Sequence, residues 1–88
     1  MTWIVEFDPV ALKDLRKLGS VPAARITAGL EKLARLDNPR DRGKALADEW
    51  AGHWRYRIGD YRVIARIEDG RMVVLVIAVG HRREVYGR

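Results

Sequence analysis

The sequence contains no cysteine, so no disulfide staples the chain and no thiolate can act as nucleophile or metal ligand. That absence fits a reducing compartment. Its N-terminus lacks the basic segment, apolar stretch and small-residue cleavage site of a secretory leader, and a cytoplasmic protein is expected. The longest apolar run, Met72 to Val79, is eight residues, far too short to cross a bilayer, so no membrane partner is expected. Repeats and low-complexity segments are absent as well. Beyond position 53 there is not one lysine.

What is present describes a small basic domain. The 88 residues are 48% hydrophobic against 33% charged, enough for a single domain with a modest core. The net charge is +5. Residues 1–52 carry nine basic and eight acidic side chains, whereas residues 53–88 carry eight arginines against four acids. The excess therefore sits in the second half and is all guanidinium, which forks onto phosphate where lysine acts as a mobile point charge. A polyanionic partner is implied.

Periodicity predicts the elements. Thr2 to Phe7 alternates as a strand, and Asp8-Pro9 is an N-cap followed by proline at the first helical position. Ala11, Leu12, Leu15 and Leu18 share a helical face that Gly19 closes. Ser20 reads as the next N-cap, opening a helix to about Leu36 with Ile26, Leu30 and Leu33 as its buried stripe, and Asn38-Pro39 stops it. Residues 37–52 form a mixed-charge loop, then a helical turn or short edge segment around Ala45 to Trp50. Trp54 to Ile58, Tyr61 to Glu68 and Arg71 to Val79 read as strands, joined by two-residue turns at Gly59-Asp60 and Asp69-Gly70. The continuously apolar last strand is expected in the centre, covered on both faces. The predicted fold class is α+β, ordered β-α-α-β-β-β, with an antiparallel sheet and an N-terminal helical hairpin packed on one face.

A two-residue turn at Gly59-Asp60 sets Arg57 opposite Arg62, so Arg55, Arg57, Arg62 and Arg66 share a face while Trp54, Tyr56, Ile58, Val63, Ala65 and Ile67 point to the helices. Opposed cations cost stability unless an anion lies between them, and a phosphate site accounts for them. Edge charges that block aggregation would be the other account, but lysine is the usual choice there. Tyr61 and Tyr86 could stack on bases, whereas Trp3, Trp50, Trp54 and Tyr56 are assigned to the core.

The tail Gly80-His81-Arg82-Arg83-Glu84-Val85-Tyr86 adds a histidine, two arginines, a carboxylate and a phenol at one end of the sheet. Cleavage of RNA needs a proton taken from the 2′-hydroxyl, charge stabilised on the phosphorane and a proton given to the leaving oxygen. Histidine is the side-chain type suited to acid or base duty near neutrality, which makes His81 a candidate; Tyr86 could donate a proton, and Glu84 could act as base or pair with Arg82 or Arg83. None of this needs a metal or a cofactor. Strict alternation places Arg82 on the face opposite Arg57 and Arg62, so a bulge or turn near Gly80 is expected.

Val79 to Tyr86, together with Asp60-Tyr61-Arg62-Val63, and Phe7-Asp8 followed by Ala11-Leu12-Lys13 and Leu15-Arg16-Lys17-Leu18-Gly19, resembles the RelE family of toxins within the RelE/ParE superfamily of toxin–antitoxin modules. The likeness spans nearly the whole chain and is weakest from Asn38 to Gly52. It implies a microbial-ribonuclease-like fold and metal-independent cleavage of mRNA in the ribosomal A site. It further implies a RelB-like antitoxin that wraps the toxin into a hetero-oligomer. By resemblance, Arg62 matches the strand arginine that stabilises the transition state, Arg82 the tail arginine near the scissile phosphate, and Tyr86 the substrate-orienting tyrosine. The family's strand lysines would fall at Arg55 and Arg57 if this hairpin is two residues shorter. Arginine is a poor general base, so His81, Glu84 or a ribosomal or substrate group would take the proton. The expected site is therefore Arg62, His81, Arg82 and Tyr86 for chemistry, with Arg55, Arg57, Arg66 and Arg83 binding RNA. Two alternatives stand beside it: a ParE-like inhibitor that binds DNA gyrase, and an inactive RNA- or ribosome-binding domain.

Overall fold

The computed structural model describes residues 2–81. Its elements are β1 (Ile4–Phe7), α1 (Pro9–Lys17), α2 (Ser20–Ala34), β2 (Lys44–Ala45), β3 (Trp54–Ile58), β4 (Tyr61–Glu68) and β5 (Val73–His81). The five strands form one sheet in the order β1-β5-β4-β3-β2, which makes β5 an interior strand, flanked on both sides, while β4 takes the middle. The sheet is mixed rather than antiparallel, because β1 runs parallel to β5, Ile4 against Val73 through Phe7 against Val76. Alternation specifies which residues face the core but not strand direction. A parallel pair needs a long crossover, which here runs through α1, α2 and the antiparallel strands β2 to β4.

Asp8 caps α1, its carboxylate accepting the Ala11 N–H at 2.8 Å. Ala11 and Leu15 are buried as predicted, but Leu12 remains 37% exposed and Asp14 is buried instead. The reason lies in the sheet. β1 ends opposite Val76, and the Asp8 N–H closes onto the Val76 carbonyl, so beyond that point α1 covers the edge of β5. Asp14 faces that edge and accepts the Val79 N–H at 3.5 Å. Gly19, at φ 91°, takes the N-cap position expected for Ser20, and no side chain caps α2. Ile26, Leu30 and Leu33 are buried against Tyr56, Val63, Ala65, Val74, Val76 and Val79, making the main core on one face of the sheet.

The second hairpin differs from expectation. Glu68 pairs with Val73, and the loop is a four-residue 3₁₀ turn ending at Met72, which sits at φ 52°. Tertiary ion pairs hold this wider turn: Arg40 grips Asp69 through two 2.8 Å bonds and draws its carboxyl below the usual carboxylate range. Arg71 reaches Glu68 at 2.6 Å and Glu6 at 3.1 Å.

Residues 37–52 are ordered by contacts to β3. A 3₁₀ turn at Pro39–Asp41 follows Asn38, whose side chain accepts the Arg40 N–H at 2.9 Å. The buried Tyr56 hydroxyl donates to the Pro39 carbonyl at 2.7 Å, and the Trp54 indole N–H to the Arg42 carbonyl at 2.6 Å. β2 and a second 3₁₀ turn, Asp48–Trp50, complete the segment, so both the edge strand and the helical turn occur. Tyr56→Phe strands the buried Pro39 carbonyl and is expected to cost about 1–3 kcal/mol in urea unfolding. Burial pushes the Tyr56 phenol up to about 12, with Arg40 opposing. An unfolded phenol ionises near 10, so the unfolded chain loses its proton first. The stability contributed by protonated Tyr56 is thus complete below about pH 10 and lost as pH rises toward about 12, on the order of 2 kcal/mol. Alkaline melts should show that slope in the wild type and a shallower one in Tyr56→Phe.

Candidate nucleic-acid interface

The turn at Gly59-Asp60 has two residues, and Arg57 stands opposite Arg62 as alternation requires. Arg62 in turn stands opposite Gly80 on β5. Arg57, Arg62 and Gly80 therefore form one row across the sheet, on the face away from the helices. The neighbouring row is Arg55, Ile64 and Ala78, with Lys44 opposite Arg55 on β2. Rows on one face lie about 7 Å apart, two residues of strand rise. Arg66 is on the same face, further along, 3.6 Å from Glu68. Among the described residues neither Arg55 nor Arg57 has an acidic partner within 4.0 Å.

The expected bulge is present but lies upstream of Gly80. Ala65 pairs with Val76 and Ile64 with Ala78, so Ile77 is the extra residue. Without it Val79 would oppose Arg62. With it the glycine does, and the arginine row ends on a position without a side chain. The same shift sets His81 opposite Tyr61, their rings edge-to-face at 6.0 Å. Tyr61 packs on the main core, so His81 shares the helix side and not the arginine face. Its expected role as acid or base beside Arg62 has no support in that geometry. Arg82, Arg83, Glu84 and Tyr86 lie outside the described residues.

Two residues on this face were not singled out in the sequence. Trp50, assigned to the core, packs on Ile64 and Ala78 in a small second cluster on the arginine side, with Leu46 and Ile77. His53 continues the alternation of Arg55 and Arg57, and the Leu46 N–H donates to its carbonyl. That parity could have flagged His53. Nothing local marks Trp50.

Beside β3 a cleft of about 630 Å³ opens between the sheet and α2. Lys32, Arg42, Lys44, Arg55 and Arg57 line it, with no acidic residue among the described ones, over an apolar floor of Leu33, Leu36, Tyr56 and Ile58. Gly29 lets α2 come this close, since a methyl there would fall 2.9 Å from the Ile58 side chain. The site thus combines a phosphate-sized cationic row with an adjoining cleft suited to an acidic, apolar segment.

Residues 5–86 match the family described as ParE toxin of type II toxin–antitoxin systems. The chain is 36% identical to the toxin RelG of Mycobacterium tuberculosis, covering 100% of both. The chain belongs to the RelE family of toxins. It is also similar to the mRNA interferase toxin RelE of Escherichia coli, at 34% identity over 98% of this chain and 92% of that one. Among solved structures, the RelBE2 toxin–antitoxin complex of M. tuberculosis superimposes with a TM-score of 0.72 at 34% identity, covering 96% of this chain and 95% of that chain. The intact E. coli RelBE complex gives 0.70 at 25% identity, covering 90% and 95%. These RelE-like structures share the two helices on a five-stranded mixed sheet. Among the described residues no helix is long and apolar enough to cross a membrane.

Proposed function

We propose that this toxin is a ribosome-dependent mRNA endonuclease that cleaves in the A site by metal-independent attack of the 2′-hydroxyl. The observation that carries the reading is the Arg57–Arg62 pair, two directly opposed guanidiniums on the open face, ending at Gly80. Two guanidiniums at one register position can fork onto a single phosphate. Arg62, with Arg82, stabilises charge on the phosphorane, Arg55 and Arg57 hold the strand, and Tyr86 orients the substrate. Because His81 sits on the helix side, proton removal falls to Glu84, to the ribosome or to the substrate itself. His81→Ala is expected to slow cleavage by less than about ten-fold, short of the hundred-fold or more that loss of a general acid or base brings. Primer extension on a defined mRNA with purified ribosomes tests the reading. Ribosome-dependent cuts that vanish with Arg82→Ala support it, and a wild type that leaves the mRNA intact refutes it.

The ParE description of the matching family favours a second reading, inhibition of DNA gyrase by binding alone. A supercoiling assay separates the two. Either toxin implies an antitoxin, and two of the RelE-type neighbours are RelBE toxin–antitoxin complexes. An acidic segment with apolar anchors fits the cleft between α2 and β3. Replacing Arg55 and Arg57 with alanine should weaken a co-expressed antitoxin and flatten the salt dependence of its binding; unchanged affinity would place the antitoxin elsewhere.

A further inference from the structure

The short strand β2 sets a second pair of cations on the arginine face. Lys44 stands directly opposite Arg55, so the two share that face, one row from Arg57 and Arg62. Lys44 is exposed and Arg55 partly so. Among the described residues neither has an acidic partner within 4.0 Å. An edge lysine that only deters strand pairing needs no cation opposite it, and like charges in that relation repel. The placement is fixed at the backbone. Gly43 has φ +76°, and a methyl carbon in its place would overlap the Arg55 carbonyl oxygen, so the chain entering Lys44 lies close against Arg55. The rest of the row is closed to an anion. Ile64 is fully buried and Ala78 nearly so, with Leu46, Trp50 and Ile77 packed against them. An anion on this row therefore has only the β2–β3 side to lie on.

We propose that Lys44 and Arg55 hold the backbone phosphate next to the one gripped by Arg57 and Arg62, so that the RNA strand runs along β3. The inference rests on the reading of this face as an RNA site. Adjacent rows are about 7 Å apart, two residues of strand rise, which is the scale of one nucleotide of extended single strand. Contacts to phosphate fix the register of a strand without reading its bases. Lys44 is a positioning residue in this scheme. It sets which linkage lies at Arg62 and takes no part in breaking it.

A methylphosphonate, which deletes the charge of one linkage, tests this when moved stepwise through a short single-stranded RNA. The RNA is made uncleavable by 2′-O-methylation, and binding is read by anisotropy. The wild type is expected to lose about three- to ten-fold at each of two adjacent linkages. Lys44→Ala should respond less at one of them, and Arg57→Ala less at its neighbour. Lys44→Ala should also bind the unmodified RNA about three- to ten-fold more weakly, with a salt slope shallower by up to about 0.7, and Lys44→Arg should restore both. On programmed ribosomes Lys44→Ala should raise KM with little change in kcat. Its urea unfolding should match the wild type, since the side chain is exposed. A wild type that loses affinity at no linkage, or a folded Lys44→Ala that keeps the wild-type scan, overturns the proposal. A variant that binds RNA normally but a co-expressed antitoxin weakly overturns it as well and gives Lys44 to the antitoxin. A wild type with the two-linkage footprint, reduced by Lys44→Ala, that leaves ribosome-bound mRNA uncut overturns the nuclease reading and leaves this one standing.

Discussion

Arg62→Ala is expected to slow single-turnover cleavage on mRNA-programmed ribosomes by about a hundred- to a thousand-fold, the usual loss when one preorganised donor to a developing oxyanion is removed. Arg62 is partly buried in β4 between Arg57 and Gly80, so its backbone position is set by the sheet rather than by a loop. Arg57, exposed on the edge side of the same row, is expected to contribute less, and its alanine variant should act mainly through KM. The two are not independent. Removing either relieves the repulsion between them, so Arg57→Ala in the Arg62→Ala background should cost less than it does alone. Stability should respond in the opposite sense at the exposed Arg57, whose alanine variant should be equal to or slightly more stable than the wild type, since like charges directly opposed across a sheet are destabilising. Rates of Arg62→Ala within a few-fold of wild type would remove this residue from the chemistry.

Gly43→Ala is expected to cost about 3 kcal/mol or more in urea unfolding. Gly43 has φ +76°, and a methyl carbon there would overlap the Arg55 carbonyl oxygen and lie 2.7 Å from Trp54 Nε1. The neighbours on both sides are backbone and rings that cannot swing away. The glycine therefore holds the 37–52 segment flat against β3, where the Trp54 indole meets the Arg42 carbonyl and Lys44 pairs with Arg55. Gly52→Ala is the control. It shares a positive φ, +90°, but has nothing within 4 Å, so it should cost only about 1 kcal/mol of backbone strain. Equal stabilities of the two alanine variants would mean that the close approach at Gly43 relaxes without cost.

The order of the elements, the register of the β3–β4 hairpin and the interior position of β5 follow from local signals. Periods of two and 3.6, the Asp8-Pro9 cap and the Gly59-Asp60 turn each act within a few residues of chain, so they are legible in one dimension. The pairing of Arg57 with Arg62 is legible for the same reason, because a two-residue turn leaves a single register. What lies further apart is not. The parallel pairing of β1 with β5, the burial of Asp14 in place of Leu12, and the four-residue turn held by Arg40 and Arg71 all depend on partners distant in the chain. The extra residue at Ile77 carries the largest consequence for the site. Strict alternation is the natural reading of an unbroken apolar strand, and no residue type in Val73 to Val79 announces a bulge. By shifting the register once, it moves Gly80 onto the arginine row and His81 off it. The sequence by itself determined a small basic RelE-like domain with its arginines on one face, since composition and period are properties of the chain. Only the tertiary structure decided which neighbours that face receives, turning His81 toward the helices and laying Trp50 and His53 beside the arginines, because register and the path of a glycine-pinned loop are settled by packing between distant segments.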